Sequence, residues 1–243
     1  MAADLGASLL TPGETLAAAD ITILAVPDGR LPAVVKELAT AAAPGRRGVV
    51  LHLAGSLGVD VLEPLADRGY AIGAMHPLQV LAGWRIAPDT TFAVEARGRA
   101  RAAISRLVAD LAGTEVELDP STRPAYHAAA VIAANLGMTL LAEAVDILER
   151  AGVDRGRALQ GLTGLVRGGL EASLDAGLPA ALTGPVTRGD VGTLAVHVEA
   201  LRADPELLAA YLAVSRLALR QARRDGRPVN GAEAVADILK ENQ

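Results

Sequence analysis

Short apolar runs alternate with helical patterns through the first 119 residues of the chain. The run Ile21–Val26 is continuous rather than alternating, as is typical of a strand that is buried on both faces of a parallel sheet. Further strands are predicted at 48–53, 70–75, 90–95 and 115–118. Strands that alternate with helices across short connections predict an α/β fold with a mostly parallel sheet.

The pattern changes after Asp119-Pro120, and no convincing strand follows. Helical patterns cover about 122–151, 154–176, 190–202, 205–224 and 231–241, and Gly152, Gly177 and Gly226 fall where helix C-caps belong. We therefore predict two domains, an α/β domain at residues 1–119 and an all-helical domain at residues 120–243.

Composition excludes several kinds of site. The 23 basic and 28 acidic residues give a net charge of −5, and aromatic residues make up 2%, so a nucleic-acid surface is not expected. Cysteine is absent, which excludes disulfides and thiolate chemistry. The four histidines lack metal-site spacing, so no metal is expected.

The longest uncharged stretch, 128–142, is shorter than the ~20 apolar residues of a membrane span, and we expect a buried core helix there. Residues 1–20 carry acidic residues and no basic segment before an apolar run, so no secretory signal is expected. We therefore predict a cytoplasmic protein that binds no membrane.

Polar or turn-forming residues follow three successive strands. They are Val26-Pro27-Asp28, Ala54-Gly55-Ser56 and His76-Pro77-Leu78-Gln79. Each of these segments alone is consistent with an ordinary turn. Parallel strands, however, end at one edge of the sheet, and open α/β folds bind their ligands at that edge. Three in series indicate a ligand site.

Two further segments offer polar side chains. His127 and Asn135 lie on the first long helix, ~12 Å apart along its axis and ~80° apart around it, so they could bracket one ligand. Each could instead be a satisfied core polar group. In the turn before a later helix, Arg188 could pair with a carboxylate or phosphate of a ligand, or remain a solvated surface arginine. Asp190 is a good N-cap with Thr193 at N3.

These segments together resemble a family of bacterial proteins that join a Rossmann-like oxidoreductase domain to a helical C-terminal domain of unknown function. The family is similar to pyrroline-5-carboxylate reductases, deazaflavin-dependent NADP reductases and the 6-phosphogluconate dehydrogenase-like superfamily, and some members resemble alternative ketopantoate reductases. The matching stretches are 19–28, 73–79, 126–135 and 181–190.

The resemblance implies a cytoplasmic oxidoreductase that binds NADP or NAD and a small carbonyl or imine substrate. It implies a homodimer formed through the C-terminal helices. It assigns catalysis to His127 and Asn135. The residues that it assigns to cofactor binding are Ala25, Val26, Pro27, Asp28, Ser56, His76 and Pro77. The residues that it assigns to substrate binding are Gln79, Arg188 and Asp190.

One family feature is missing from this sequence. No Gly-x-Gly-x-x-Gly turn occurs, and residues 1–10 read as the end of a helix that precedes the first predicted strand. We expect either a start assigned too far downstream or a genuine remnant, with cofactor binding impaired. A non-catalytic binding or dimerising protein is therefore the second hypothesis, and a metal-dependent hydrolase is a distant third.

Overall fold

The computed structural model describes residues 7–43, 47–80, 86–227 and 229–241, and the chain forms two compact units, Met1–Gly137 and Met138–Gln243. The first unit is an α/β fold. Its strands are β1 Ile21–Leu24, β2 Val49–His52, β3 Ala71–Pro77, β4 Thr91–Ala96 and β5 Thr114–Glu117. Its helices are α1 Pro12–Ala18, α2 Leu31–Ala41, α3 Glu63–Ala66, α4 Gly98–Asp110 and α5 Arg123–Val131.

The five strands form one sheet in the order β1-β2-β3-β4-β5. Strands β1, β2 and β3 are parallel, with Leu24 opposite His52 and His52 opposite Ala74. The ends of β1 and β2 therefore lie side by side, as the sequence predicts. Strand β3 extends to Pro77, so His76 and Pro77 belong to the strand rather than to the turn after it.

The predicted α/β fold is confirmed, but one strand pair runs the other way. β4 is antiparallel to β3, with His76 opposite Ala93, and β5 is parallel to β4. The sequence could not reveal this reversal, because a short buried strand has the same apolar pattern whichever direction it runs.

Each face of the sheet is covered by its own apolar cluster. On one face, side chains of β1 and β2 pack with α1, α2 and α3, including the buried Leu31, Val50 and Leu62. On the other, Phe92 and Ile104 pack with side chains of β2, β3 and α4. The two clusters hold the strand ends rigidly, which is what a ligand site at the edge of the sheet requires.

The first helix does not lie where the sequence suggested. Residues 7–10 are outside any helix, and α1 begins at Pro12. Thr11 caps it: its hydroxyl accepts from the amide of Glu14, and the Glu14 carboxylate accepts from the amide of Thr11. This capping box fixes the start of the helix at Pro12. The sequence analysis did not identify Thr11 as an N-cap. Residues 1–6 lie outside the described part of the chain.

The second unit is helical throughout its described residues. It contains α6 Gly137–Arg150, α7 Arg155–Ala176, α8 Leu178–Ala181, α9 Pro185–Arg188, α10 Val191–Leu201, α11 Pro205–Arg224 and α12 Ala232–Glu241. Its core joins α9, α10, α11 and α12 through residues such as Leu194, Leu212 and Leu239. The last strand ends beside the predicted boundary at residue 119, whereas the packing divides the chain after Gly137, inside the long helical segment.

That helical segment, Pro120–Arg150, is exposed rather than buried, so the expectation of a core helix is wrong. Its most apolar 18-residue window has a mean hydropathy of 1.7, and 6% of the window is buried. By length and composition alone the helix could cross a membrane, although one such helix is weak evidence. The error arises because an apolar pattern gives the composition of a helix but not which of its faces pack against the rest of the chain.

Candidate functional site

The ends of β1 and β2 are joined by hydrogen bonds between their loops. The carboxylate of Asp28 accepts from the hydroxyl of Ser56 at 2.5 Å and from its backbone amide at 3.2 Å. Asp28 opens a short 3-10 turn that leads into α2, and Ala25, Val26 and Pro27 precede it on the way out of β1. Two of the three predicted strand ends therefore meet.

The end of β3 meets the start of α5. Nδ1 of His76 lies 2.6 Å from the hydroxyl oxygen of Tyr126, and the rings of His76 and His127 stand edge to face with centroids 6.4 Å apart. Gly55, after β2, is buried between them. A Cβ added there would lie 2.8 Å from both His76 Nε2 and His127 Nδ1, so only glycine leaves room for the two rings.

Burial and neighbouring charges tune these groups. Partial burial opposes ionisation of Asp28, but the hydrogen bonds from Ser56 and the nearby His127 and His76 outweigh it and lower its pKa. Burial lowers the pKa of His76, helped by His127, and burial raises the pKa of Tyr126. At neutral pH the site therefore presents a carboxylate, a neutral imidazole and a protonated phenol.

A buried ion pair fixes the start of α5. Nε and Nη2 of Arg123 donate to Oε2 of Glu95 at 3.0 and 2.7 Å, and the side chains are 2% and 9% exposed. Glu95 lies on β4, so the pair ties the helix to the sheet one turn before Tyr126 and His127. Sequence reasoning missed it, because no local pattern links an acid and an arginine 28 residues apart.

His52 supports the loop that contains Gly55. Its ring is fully buried, its Nδ1 accepts from the amide of Ala54 at 3.2 Å, and its Nε2 lies 3.0 Å from the carbonyl oxygen of Gly58. Burial lowers the pKa of His52 and is the largest cause, so the neutral ring satisfies both contacts. The ring of His52 therefore links the backbone of Ala54 to that of Gly58 and stabilises the loop after β2.

Asn135 does not lie on a regular α-helix. Residues Ile132–Leu136 form a π turn between α5 and α6, and Asn135 is exposed within it. The α-helical estimate of its angle from His127 therefore does not apply. Single π turns occur often at functional sites, which keeps Asn135 a candidate.

The carboxamide oxygen of Gln79 is engaged by its own loop. It accepts from the amide of Ala87 at 2.9 Å and from the hydroxyl of Thr90 at 3.0 Å. These bonds brace the connection between β3 and β4. A role for Gln79 in binding the substrate stays a prediction.

Arg188 and Asp190 belong to the helical unit. Arg188 is exposed in the last turn of α9. Asp190 caps α10, and its carboxylate accepts from the amide of Thr193 at 3.0 Å and from its hydroxyl at 2.7 Å, which confirms the predicted N-cap. Those hydrogen bonds lower the pKa of Asp190. Whether either residue contacts a substrate stays a prediction.

A cavity of about 590 Å³ in the first unit has the wrong charge for a dinucleotide. Four carboxylates and one arginine are among the residues that line it: Glu63, Glu95, Glu117, Asp119 and Arg97. An anionic pyrophosphate needs backbone amides or cations instead. The strand ends are therefore the better candidate for a cofactor.

The fold joins a Rossmann-like unit to a unit made of helices. A Rossmann-like domain model matches residues 6–77. The model of the domain of unknown function DUF2520 matches residues 90–218, which is more than half of the chain. The chain therefore belongs to the DUF2520 family, and the predicted family is confirmed. None of the curated proteins matches it.

Solved structures share the fold at low identity. A protein from Thermotoga maritima is 21% identical with a TM-score of 0.69, over 84% of this chain and 79% of its own. A reductive aminase from Aspergillus terreus, solved with NADPH and ethyl-5-oxohexanoate, is 18% identical with a TM-score of 0.63, over 93% and 81%. Pyrroline carboxylate reductase from Plasmodium falciparum, with NADP bound, is 12% identical with a TM-score of 0.57, over 96% and 80%.

The residues at the strand ends offer polar groups on the side where the compared fold ends its parallel strands. Ring nitrogens of His76 and His127 lie beside Gly55, and the space over that glycine is filled by the two imidazoles. Nδ1 of His127 is buried without a hydrogen-bond partner among the described residues. The glycine turn that cradles a pyrophosphate is absent from the printed sequence. The polar groups at the strand ends are therefore the candidates for contact with a nicotinamide, and the printed sequence offers no glycine turn for a pyrophosphate.

Proposed function

We propose that this chain is an NAD(P)-dependent reductase that acts on a small carbonyl or imine compound. The observation that carries the proposal is the meeting of three strand ends with the start of α5 at Gly55, where the rings of His76 and His127 face each other. Reductases of this overall fold bind NADPH or NADP in the structures compared above. A 2-keto acid similar to ketopantoate is one candidate substrate.

When bound, a reduced nicotinamide supplies the hydride that adds to the carbon of the C=O or C=N bond. His127 polarises the substrate's oxygen or nitrogen and gives it a proton, as a positioned general acid does. Asn135 donates a hydrogen bond to the substrate, and Arg188 and Asp190 bind its polar groups.

The cofactor would be held by the residues that leave the strands. These are Ala25, Val26, Pro27 and Asp28 after β1, Ser56 after β2, and His76 and Pro77 at the end of β3. NADP is favoured over NAD because the compared reductases carry it.

The activity is tested by following NAD(P)H oxidation with a panel of 2-keto acids and cyclic imines. Removal of a general acid typically lowers the rate ~10²–10⁴-fold, so the rate of His127→Ala is expected to fall by a factor within that range. His197→Ala is the matched control, because His197 contacts Tyr211 in the helical unit and is expected to leave the rate unchanged. No turnover of any carbonyl or imine by the wild type would refute the proposal.

We further propose that the protein is a homodimer formed through its C-terminal helices. Apolar side chains on α7 are exposed: Leu165 is 73% and Leu174 86% accessible. Leu159, Val166 and Leu170 are also exposed and share a face of the helix with Leu174. Apolar surfaces of this kind usually mark an interface. Leu170→Arg is expected to convert a dimer to a monomer in sedimentation analysis, and a wild-type monomer would contradict the proposal.

The same exposed helices favour the second candidate function, a dimerising protein without catalysis. Calorimetric titration with NADPH separates the two functions, since saturable binding supports the reductase and its absence supports the alternative. For either function we propose a cytoplasmic protein that binds neither nucleic acid nor membrane.

A further inference from the structure

Tyr126 holds one ring nitrogen of His76 in a short hydrogen bond. Its hydroxyl oxygen lies 2.6 Å from Nδ1, and the two rings meet edge to face with centroids 5.7 Å apart. The other ring nitrogen of His76, Nε2, lies against Gly55 on the side of His127. The imidazole of His76 therefore bridges a group on α5 and the floor of the site.

The protonation states of the pair follow from burial. Tyr126 keeps its proton because burial raises its pKa, and His76 is neutral because burial lowers its pKa. A neutral imidazole has one N–H and one acceptor nitrogen. The 2.6 Å separation is shorter than the range of about 2.7–3.2 Å for N–H donors, which favours the phenol as donor to Nδ1 and places the proton of His76 on Nε2.

Opposite that N–H lies a buried ring nitrogen of His127, Nδ1, that lacks a hydrogen-bond partner among the described residues. Nδ1 of His127 and Nε2 of His76 both lie within 2.8 Å of one point, the position that a Cβ on Gly55 would occupy. Buried polar atoms are rarely left unsatisfied, so a hydrogen bond between the two nitrogens is expected, either through a water or after a small movement of the rings.

We propose that Tyr126 and His76 are positioning residues that set the tautomer of His127. Two hydrogen bonds form a series. In the first, the Tyr126 hydroxyl donates to Nδ1 of His76, and in the second, Nε2–H of His76 donates towards Nδ1 of His127. In the tautomer with a single ring proton, His127 then carries that proton on Nε2, the nitrogen that remains for a ligand. The catalytic value of this tautomer rests on the proposed reductase function, whereas the tautomer itself does not.

The tautomers are tested by NMR on the whole chain labelled with ¹⁵N-histidine, which distinguishes protonated from acceptor ring nitrogens. His76 is expected as the Nε2–H form in the wild type. In Tyr126→Phe, which removes only the hydroxyl, His76 is expected to become a mixture of tautomers and the Nδ1 signal of His127 to shift. Tyr211→Phe is the matched control, because Tyr211 contacts Nδ1 of His197 at 2.9 Å in the same way and should change that histidine alone.

A second variant tests the contact over the glycine. Gly55→Ala inserts a methyl group between the rings, so the signals of His76 Nε2 and His127 Nδ1 are both expected to move. The Nδ1–H form of His76 in the wild type, or a His127 signal unaffected by Tyr126→Phe, would overturn the proposal.

The kinetic measurement separates this proposal from the reductase assignment. Tyr126→Phe is expected to lower kcat about tenfold with KM little changed, the loss that one neutral hydrogen bond would produce. An unchanged kcat would contradict the positioning role. A wild type without activity would contradict the reductase function, while the NMR result would still decide the tautomers.

Discussion

Replacing Glu95 by leucine would leave the guanidinium of Arg123 buried without its counter-charge. The two groups share two hydrogen bonds of 3.0 and 2.7 Å, and their side chains are 9% and 2% exposed, so water screens them little. Nη1 of Arg123 already lacks a partner among the described residues. Loss of one member of a buried pair typically costs ~3–5 kcal/mol, a large share of the ~5–15 kcal/mol by which a domain is stable.

Denaturant unfolding followed by circular dichroism measures this cost. The double variant Glu95→Leu/Arg123→Met is expected to recover much of the loss, because an apolar pair of similar volume needs no counter-charge. Asp146→Asn is the control, since its partner Arg155 lies on the surface and the variant should unfold as the wild type does. A loss below about 1 kcal/mol in the single variant, or a double variant no more stable than the single, would refute this account of the ion pair.

Three further predictions concern single positions. Burial lowers the pKa of His52 below 6.5, so the unfolded state binds more protons and stability should fall from about pH 7 to about pH 5; His52→Gln should flatten that slope in pH-dependent unfolding. Ser56→Ala should raise the pKa of Asp28, seen in a carboxyl NMR titration, because a hydrogen bond to the charged form is lost; an unchanged value would argue against the contact. Gly73→Ala should destabilise by about 1–3 kcal/mol because its Cβ would lie 3.0 Å from three side-chain atoms, whereas Gly161→Ala, in open space on α7, should stabilise by about 0.5–1 kcal/mol; equal midpoints in thermal unfolding would contradict both.

The sequence predicts the strands of the site well because their signal is local. Continuous apolar runs identify β1 and β2 to within two residues, and the polar residues after them meet as expected, as the bond between Ser56 and Asp28 illustrates. The caps also follow from local chemistry, as Asp190 demonstrates.

Local sequence patterns cannot predict features that depend on contacts between distant segments. The direction of β4 depends on how its chain returns to the sheet, and the pairing of Glu95 with Arg123 depends on where α5 begins. The exposure of the helix around Asn135 depends on which distant segments pack against it. The need for glycine at position 55 appears only when the rings of two histidines are seen to approach it.

A titration of the ¹⁵N-histidine-labelled chain with NADPH tests the central claim most directly, because each of the four histidines reports on a known place in the fold. The account predicts saturable shifts of His76 and His127, which reduced nicotinamide mononucleotide should reproduce, and no change at His197. Binding that moves only His197, or the absence of any shift at saturating NADPH, would contradict the claim that the strand ends and the start of α5 form a nicotinamide site.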